Sequence, residues 1–277
     1  MAGSKSNELE SGQELDGLVN YKSTNNPLVS IITVVYNGEE HIEQTIQSVL
    51  NQTYKNIEYI IIDGASTDGT PEIIKRYEKD IDYWISEPDK GIYAAMNKGI
   101  IAATGEWINF MNAGDTLANR NTVESVFAKS YHEDADIIYG SSYKILTSGE
   151  VLSVESSEDT NRLAFDPIYR HNASFVRRSI HKIYPFDLSK KKFGYALDFH
   201  SINTFYKKGY RFKKVPEYIL YYIQEGVSFH PYKNIYYNFL ISIDGKFRII
   251  ALLIFFKKII RAFINRTLKR IKMLIGF

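Results

Sequence analysis

Apolar positions in the first part of the chain follow two rhythms. Leu28 to Tyr36 (LVSIITVVY) is a nearly unbroken β-branched run, which suits a strand covered on both faces of a parallel sheet. Asn37-Gly38 ends it. From Glu39 to Gln52 the spacing changes. Ile42, Ile46, Val49 and Leu50 fall on one side and predict a helix. The two patterns then alternate. Ile57 to Asp63 reads as a second buried strand, and Thr70-Pro71-Glu72 as a helix start with Thr70 as cap and Pro71 at the first position. Tyr83 to Ser86 is a short third strand. Gly91 to Thr104 is helical, weakened at Gly99, and Glu106 to Met111 is the fourth strand. This alternation predicts an α/β fold with a mostly parallel central sheet flanked by helices.

The alternation lapses after Asp115. A helix is expected over Thr122 to Tyr131 and a strand over Asp136 to Tyr139. Tyr143 to Thr147 and Glu150 to Val154 flank Ser148-Gly149, a hairpin signal. Ala173 to Val176 reads as a strand, and Tyr195 to Lys207 as a helix with Asp198 near its start. Tyr210 to Tyr222 is extended, with Pro216 pushing part of it to an edge. Three segments result: a polar stretch 1–26, disordered or a short helix; a folded domain 27–230; and basic amphipathic helices over 231–277.

Composition adds bounds. The chain has 277 residues, 44% hydrophobic and 24% charged, with a net charge of +2, ordinary values for a globular protein. Nothing in that balance calls for a nucleic-acid partner. The distribution is uneven, since after Asp244 there are nine Lys and Arg and no acidic residue. The absence of Cys removes disulfides and thiolate metal sites and fits a reducing compartment. Tyrosine, 21 residues, is abundant, a residue common where sugars or interfaces are bound. No apolar core follows a basic N-terminal start, so no secretory signal is expected.

The candidate chemistry lies where strands end. In open α/β sheets ligands bind beyond the carboxyl ends of the strands, and three such ends carry polar groups: Asn37, Asp63 and Asp115. Ile108 to Asp115 is a mostly apolar strand closing in a polar turn through Gly114. Each end alone is equally readable as a capped turn; together they describe a nucleotide pocket. A dinucleotide G-x-G-x-x-G and a P-loop G-x-x-x-x-G-K-[ST] are both absent. In Asp63-Gly64-Ala65-Ser66-Thr67-Asp68-Gly69, Asp63 suits acceptance of a base N–H, and Ser66 or Asp68 suits capping of the next helix.

Val29 to Tyr36 with Asn37, Gln44 to Tyr54, Ile61 to Thr70, Ser86 to Tyr93 and Ala95 to Gly99 resemble, in order, the pattern of glycosyltransferase family 2. The match is dense over 28–116 and thins towards 230. The resemblance implies a GT-A fold, an inverting transfer, a nucleotide-diphosphate sugar donor (a UDP-sugar) and a Mg²⁺ or Mn²⁺ ion. Similar bacterial enzymes build surface polysaccharides, with glycan or lipid-linked acceptors. It implies donor-site roles for Tyr36, Asn37, Asp63, Lys98 and Asn112, with Asp63 holding the base, a metal-ligand role for Asp115, and the general base for Asp198. His171 and Glu87 are further acceptor-side or loop candidates, as are Gln224 to Ser228 and His230. The chain departs from the pattern at Asn112 and Gly114, where many members carry carboxylates, and at Ala94, where relatives often carry Asp. Apart from the resemblance, the favoured reading of Asp198 is a carboxylate stabilised by a helix N-terminus.

From Lys246 to Phe277 the longest uncharged run, Ile249 to Phe256, has eight residues, and a spanning helix needs about 20. Apolar residues recur there at helical spacing, interleaved with Lys and Arg, which describes a helix lying on an anionic membrane surface. The alternative is a helix packed on the domain or on a second subunit. The expected setting is cytoplasmic, peripheral on the inner face of the plasma membrane, with the oligomeric state open. Two rival classes remain: an inactive sugar-nucleotide-binding protein, suggested by Ala94 and the thinned acids, and a membrane-surface scaffold using the tail alone.

Overall fold

The computed structural model of the protein describes residues 26–127, 130–223, 231–244 and 249–275. Its axis is β1 (Val29–Val35), whose seven residues are all buried. It pairs in parallel with β2 (Ile57–Asp63) on one side and β4 (Trp107–Asn112) on the other. β3 (Tyr83–Ser86) extends the parallel half beyond β2. The β-branched run of β1 serves two cores at once. Val29, Ile31 and Val35 meet α1 (Ile42–Leu50), α2 (Thr70–Arg76) and α4 (Thr122–Phe127), while Ile32 and Val34 meet α3 (Ile92–Ala102) and α6 (Leu197–Lys207). That is the period-2 alternation of a strand with apolar layers on both faces.

The second half is mixed. The sheet order is β3-β2-β1-β4-β8-β6-β9-β5, with β7 beside β6. β8 (Ser174–Arg177) runs antiparallel to both β4 and β6 (Ile137–Ile145), and β7 (Val151–Val154) runs antiparallel to β6. β9 (Phe212–Ile223) is parallel to β6 and antiparallel to the two-residue β5 (Thr116–Leu117). Because β5 follows β4 directly in the chain yet sits at the far end of the order, the sheet curls back on the carboxyl end of β4. Pro216 lies at the register shift in the β6–β9 ladder and outside the stretch covered by β5, as its missing N–H requires.

Several boundaries differ from those expected. The first helix starts at Ile42, because residues 39–41 form the turn in which the N–H groups of His41 and Ile42 bond Gly38 O. Thr70 is the first helical residue rather than the cap. Asp68 Oδ1 accepts its N–H at 3.1 Å, and its hydroxyl instead accepts Gly38 N–H at 2.9 Å. The stretches 136–139 and 143–147 are one strand, β6, whose small polar centre Gly140-Ser141-Ser142 hides its continuity. The helix expected at 122–131 is α4 plus a short turn at Ser130–His132. α5 (Arg178–Ile183), short and basic, was not expected.

Two helices close the described chain. Ile241 of α7 (Pro231–Ser242) is buried in the α3–α6 core. The start of α8 (Ile249–Ile275) packs on α7 through Phe255 and Phe239, ring centroids 4.7 Å apart, and Lys258 pairs with Asp166. No helix among the described residues is long and apolar enough to cross a membrane.

Gly99, read from sequence as a weak point of α3, is where that helix comes closest to β1. A Cβ there would lie 2.4 Å from Ile32 Cγ2, an atom fixed on a branched, buried side chain. Gly99→Ala gains about 1 kcal/mol of helix propensity but overpacks a full core at a cost of about 1–3 kcal/mol. The expected net result is a lower urea midpoint. A raised midpoint would show that α3 can move off β1.

Candidate active site

The loops after β1 and β2 are laced together. Asn37, at φ +49°, donates its N–H to Ser66 Oγ at 2.7 Å and accepts Thr67 N–H on its side chain at 2.9 Å. Glu39 N–H reaches Asp68 at 3.1 Å, and Gly69 N–H reaches Glu39 Oε2 at 2.7 Å. Asp63, at the end of β2, is fully buried. Its carboxylate accepts Ser66 N–H and the hydroxyls of Ser66 and Ser86, both at 2.5 Å. Above this turn stands the exposed ring of Tyr36. A Cβ on Gly64 would meet both that ring and Asp89, so the three lie together. Glu87 and Lys98 pair with each other at 2.9 Å, and Lys98 also reaches Pro88 O at 3.2 Å, holding the β3–α3 loop onto α3.

β4 ends in a tight turn. Gly114 has φ +99°, a value that favours glycine. Asp115 N–H bonds Asn112 O at 3.0 Å, and the carboxylate returns to accept Asn112 N–H at 2.9 Å. Asn172 Nδ2 donates to the same oxygen, and Thr45 Oγ1 donates to Asp115 O at 2.8 Å. Burial raises the pKa of Asp115, against the opposing pull of Asn112 N–H, Arg170, Asn172 and His171.

Asp198 is the second residue of α6 and faces the same cleft. Its Oδ1 accepts Phe199 N–H at 2.7 Å, and its Oδ2 lies 3.3 Å from His171 Nδ1. Tyr93 Oη donates to Tyr195 O at 2.6 Å and stands 3.5 Å from Asp198 Oδ1. Burial pushes the Asp198 pKa up, but His171, Phe199 N–H and the Arg170 charge outweigh it and hold the carboxyl below its ordinary value. Burial and the Asp198 charge together push the Tyr93 phenol well up. The cleft is lined by Tyr93, Asn112, Arg170, His171, Tyr195 and Asp198, among others.

The expected site residues thus form two neighbouring groups. Tyr36, Asn37 and Asp63 gather at the β1–β2 loops, with Glu87 and Lys98 on the adjoining rim. Asn112, Asp115, His171 and Asp198 gather at the β4 end. Gln224 to Ser228 and His230 lie outside the described residues. Sequence reasoning missed Arg170, whose guanidinium lies 3.7 Å over the Tyr222 ring. It also missed Asn109, fully buried in β4, whose Nδ2 donates to Asn172 O and Ser174 O, both at 2.8 Å. Asn109 had a signal, a lone amide inside an apolar strand.

A divalent cation fits this site sparingly. Among the described residues no three His, Cys, Asp or Glu converge. The Asp115 carboxylate and Asn112 Oδ1, a buried oxygen without a partner, belong to one turn and are the hard oxygen donors that Mg²⁺ or Mn²⁺ takes, with further positions left for substrate oxygens and water.

A curled mixed sheet with helices on both faces and polar groups at the carboxyl ends of its parallel strands is the GT-A architecture. The chain belongs to glycosyl transferase family 2, whose model matches residues 30–218. It is similar to a PGL/p-HBAD biosynthesis glycosyltransferase of Mycobacterium bovis, 30% identical over 158 residues, 56% of this chain and 60% of that protein. It is also similar to an uncharacterized glycosyltransferase of Haemophilus influenzae, 43% identical over 98 residues, 34% of this chain and 39% of that protein. The match to the mycobacterial relative thus spans about 60% of that protein's length. Among solved structures, S. aureus TarS 1-349 in complex with UDP-GlcNAc superposes with a TM-score of 0.60 at 18% identity, covering 79% of this chain and 67% of that one. The mannosyltransferase PcManGT from Pyrobaculum calidifontis, in complex with GDP-Man and Mn2+, gives 0.62 at 20% identity, covering 80% and 66%. At such identities these likenesses establish the shared fold.

The raised pKa of Asp115 has a stability consequence. Above the unfolded-state value of about 3.9, the native chain keeps a proton that the unfolded chain has released. Stability therefore falls as pH rises from the unfolded-state value towards the folded-state value. Asp115→Asn keeps an oxygen for Asn112 N–H and removes the charge. In metal-free buffer it is expected to raise the denaturant midpoint at pH 7 and to flatten the loss between acid and neutral pH. Chemical denaturation at both pH values measures this.

Proposed function

We propose that the cleft transfers a sugar, with inversion, from a nucleotide-diphosphate donor, a UDP-sugar, to a hydroxyl of a glycan or lipid-linked acceptor in polysaccharide biosynthesis. The observation that carries this reading is Asp198, a carboxylate held below its ordinary pKa and set in one cleft with Asn112 of the Asp115 turn. An acceptor hydroxyl is a weak nucleophile until a base takes its proton as attack begins. Asp198 takes that proton while the acceptor oxygen bonds the anomeric carbon. The bond to the diphosphate breaks on the opposite face, and the diphosphate leaves with the electron pair. Asp115 and Asn112 would hold the divalent ion, which when bound offsets charge on the diphosphate.

The donor assignment rests on the family and on the two chemistries named for solved neighbours, UDP-GlcNAc and GDP-Man. Asp63, held by Ser66 and Ser86, and the exposed ring of Tyr36 beside Gly64 suit the base end. Tyr36, Asn37, Asp63, Lys98 and Asn112 remain the proposed donor residues. Catalysis resides in 27–230, with α7 packed onto it.

The membrane reading narrows to α8. Leu253, Phe256, Ile260, Phe263, Ile264 and Leu268 are all exposed and recur every three or four residues along one side of the helix. Basic residues flank that side. An uncovered apolar stripe beside positive charge suits the surface of an anionic bilayer, and attachment there would serve a lipid-linked acceptor at the cytoplasmic face.

Asp198→Asn is expected to lower turnover by about 10²- to 10⁴-fold while donor affinity, measured by calorimetry, changes little. Wild-type turnover in the mutant would exclude the base role. Nucleotide binding without any turnover in the wild-type chain would favour the inactive binding protein that Ala94 suggests.

A chain ending at Asp244 is expected to stay in solution and still bind nucleotide, whereas the intact chain sediments with anionic liposomes and is released by salt. Equal sedimentation of the two would assign membrane attachment elsewhere.

A further inference from the structure

His171 and Asp198 line both the open cleft and a small cavity behind it, shared with Phe110, His181, Ser201 and Phe205. That cavity measures about 20 Å³, and one water centre needs roughly 10–15 Å³. Its polar lining is unusual. His171 Nε2 and both ring nitrogens of His181 are buried with no hydrogen-bond partner. The His181 ring is 3% exposed and sits between Phe110, Phe186 and Phe205, with ring centroids 5.4, 5.9 and 5.6 Å away. Burial pushes the His181 pKa down to about 3. His181 is therefore a neutral ring with one donor and one acceptor nitrogen. Three orphaned nitrogens around a water-sized space, with the Ser201 hydroxyl on its wall, supply the two to four polar partners that a buried water requires.

We propose that a buried water in this cavity bridges His171 Nε2 to His181 and so fixes His171 in the tautomer that donates from Nδ1 to Asp198. The hydrogen count is consistent. With the proton on Nδ1, Nε2 is an acceptor and takes one water hydrogen, and the water oxygen accepts the N–H of His181 or the hydroxyl of Ser201. In the other tautomer the Nδ1 lone pair would face the Asp198 carboxylate, and Oδ2 would lose its donor. His171 is then a positioning residue for the base, acting through the orientation of Asp198, and His181 and the water set its tautomer. This rests on the assignment of Asp198 as the base.

The test combines a spectroscopic and a kinetic arm on the full chain. Long-range ¹H–¹⁵N correlation of the histidine rings is expected to show His171 protonated on Nδ1, and a crystal structure to show the water. His171→Asn, whose amide nitrogen falls where Nδ1 stood, is expected to keep most of kcat. His171→Gln, whose amide falls at the Nε2 place, is expected to lose about 10²-fold in kcat, the scale of a misplaced reacting group, with donor KM unchanged. His181→Phe is expected to shift the His171 tautomer while leaving nucleotide binding intact, and that binding reports folding. Protonation of His171 on Nε2, or equal kcat for the Asn and Gln variants, would overturn the inference. Wild-type turnover in Asp198→Asn would instead remove the base assignment and leave the tautomer result standing, so the two failures are distinguishable.

Discussion

The seam between β4 and β8 is where the two halves of the sheet meet, and the site depends on it. Backbone pairing there covers only Trp107 with Arg177 and Ile108 with Val176. Beyond Ile108 the side chain of Asn109 takes over, donating to Asn172 O and Ser174 O. Those two carbonyls fix the turn that carries His171 and Asn172, and Asn172 in turn donates to Asp115. One buried amide therefore spaces the β4 turn from His171, which faces Asp198. Each such bond contributes about 0.5–1.5 kcal/mol net, and an orphaned buried carbonyl costs about 1–3 kcal/mol. The seam is thus specified more firmly than its short ladder suggests. At its outer end Arg177 adds to this, with its guanidinium on Glu106 at 2.6 Å, on Ala135 O at 3.0 Å and on His132 O at 2.8 Å.

Asp198 in the cleft and Asp115 in the turn beside it are pushed in opposite directions. Burial raises both. At Asp115 it prevails, because the partners are one backbone N–H and an amide and the Arg170 charge is only a partial offset. At Asp198 it loses, because the His171 hydrogen bond acts directly on the carboxylate and Phe199 N–H adds to it. Acids whose environments separate their pKa values are suited to different tasks. The lowered pKa keeps Asp198 ionised at neutral pH. Asp115 ionises in the folded chain only at a cost, which a cation would relieve.

The parallel half was legible because its signals are local. The two-faced run of β1, the strand ends at Asn37, Asp63 and Asp115, and the switch to helical spacing at Ile42 are all readable within a dozen residues. What was not legible depends on distant partners. Thr70 looks like a cap until Gly38 N–H is seen to claim its hydroxyl. Gly99 looks like a defect until Ile32 is placed against it. The 27-residue gap between His171 and Asp198 carries no periodicity, and His171 taken alone is one histidine among six. β6 was split in two because its middle has no apolar alternation, its place being fixed by β9 rather than by its own pattern. The GT-A resemblance supplied positions for Asp63, Asp115 and Asp198, but the residues that orient the last two, Asn109, Asn172 and His171, are set by the curl of the sheet.

The thinning of acids at the β4 turn has a physical logic. A second or third carboxylate at Asn112 or Gly114 would add like-charge repulsion to a place where burial already penalises one. Asn112 and Asn172 supply amide groups instead, and Arg170, on the Tyr222 face, partly offsets the negative charge that remains. Such a turn is easier to hold folded without metal than an acid-rich one. A free cation would be held only weakly there, since few protein oxygens converge. On the proposed reading the donor's own phosphate oxygens complete the coordination, so the ion and the donor strengthen each other's binding, and this reciprocity is required thermodynamically of any two ligands that share a site.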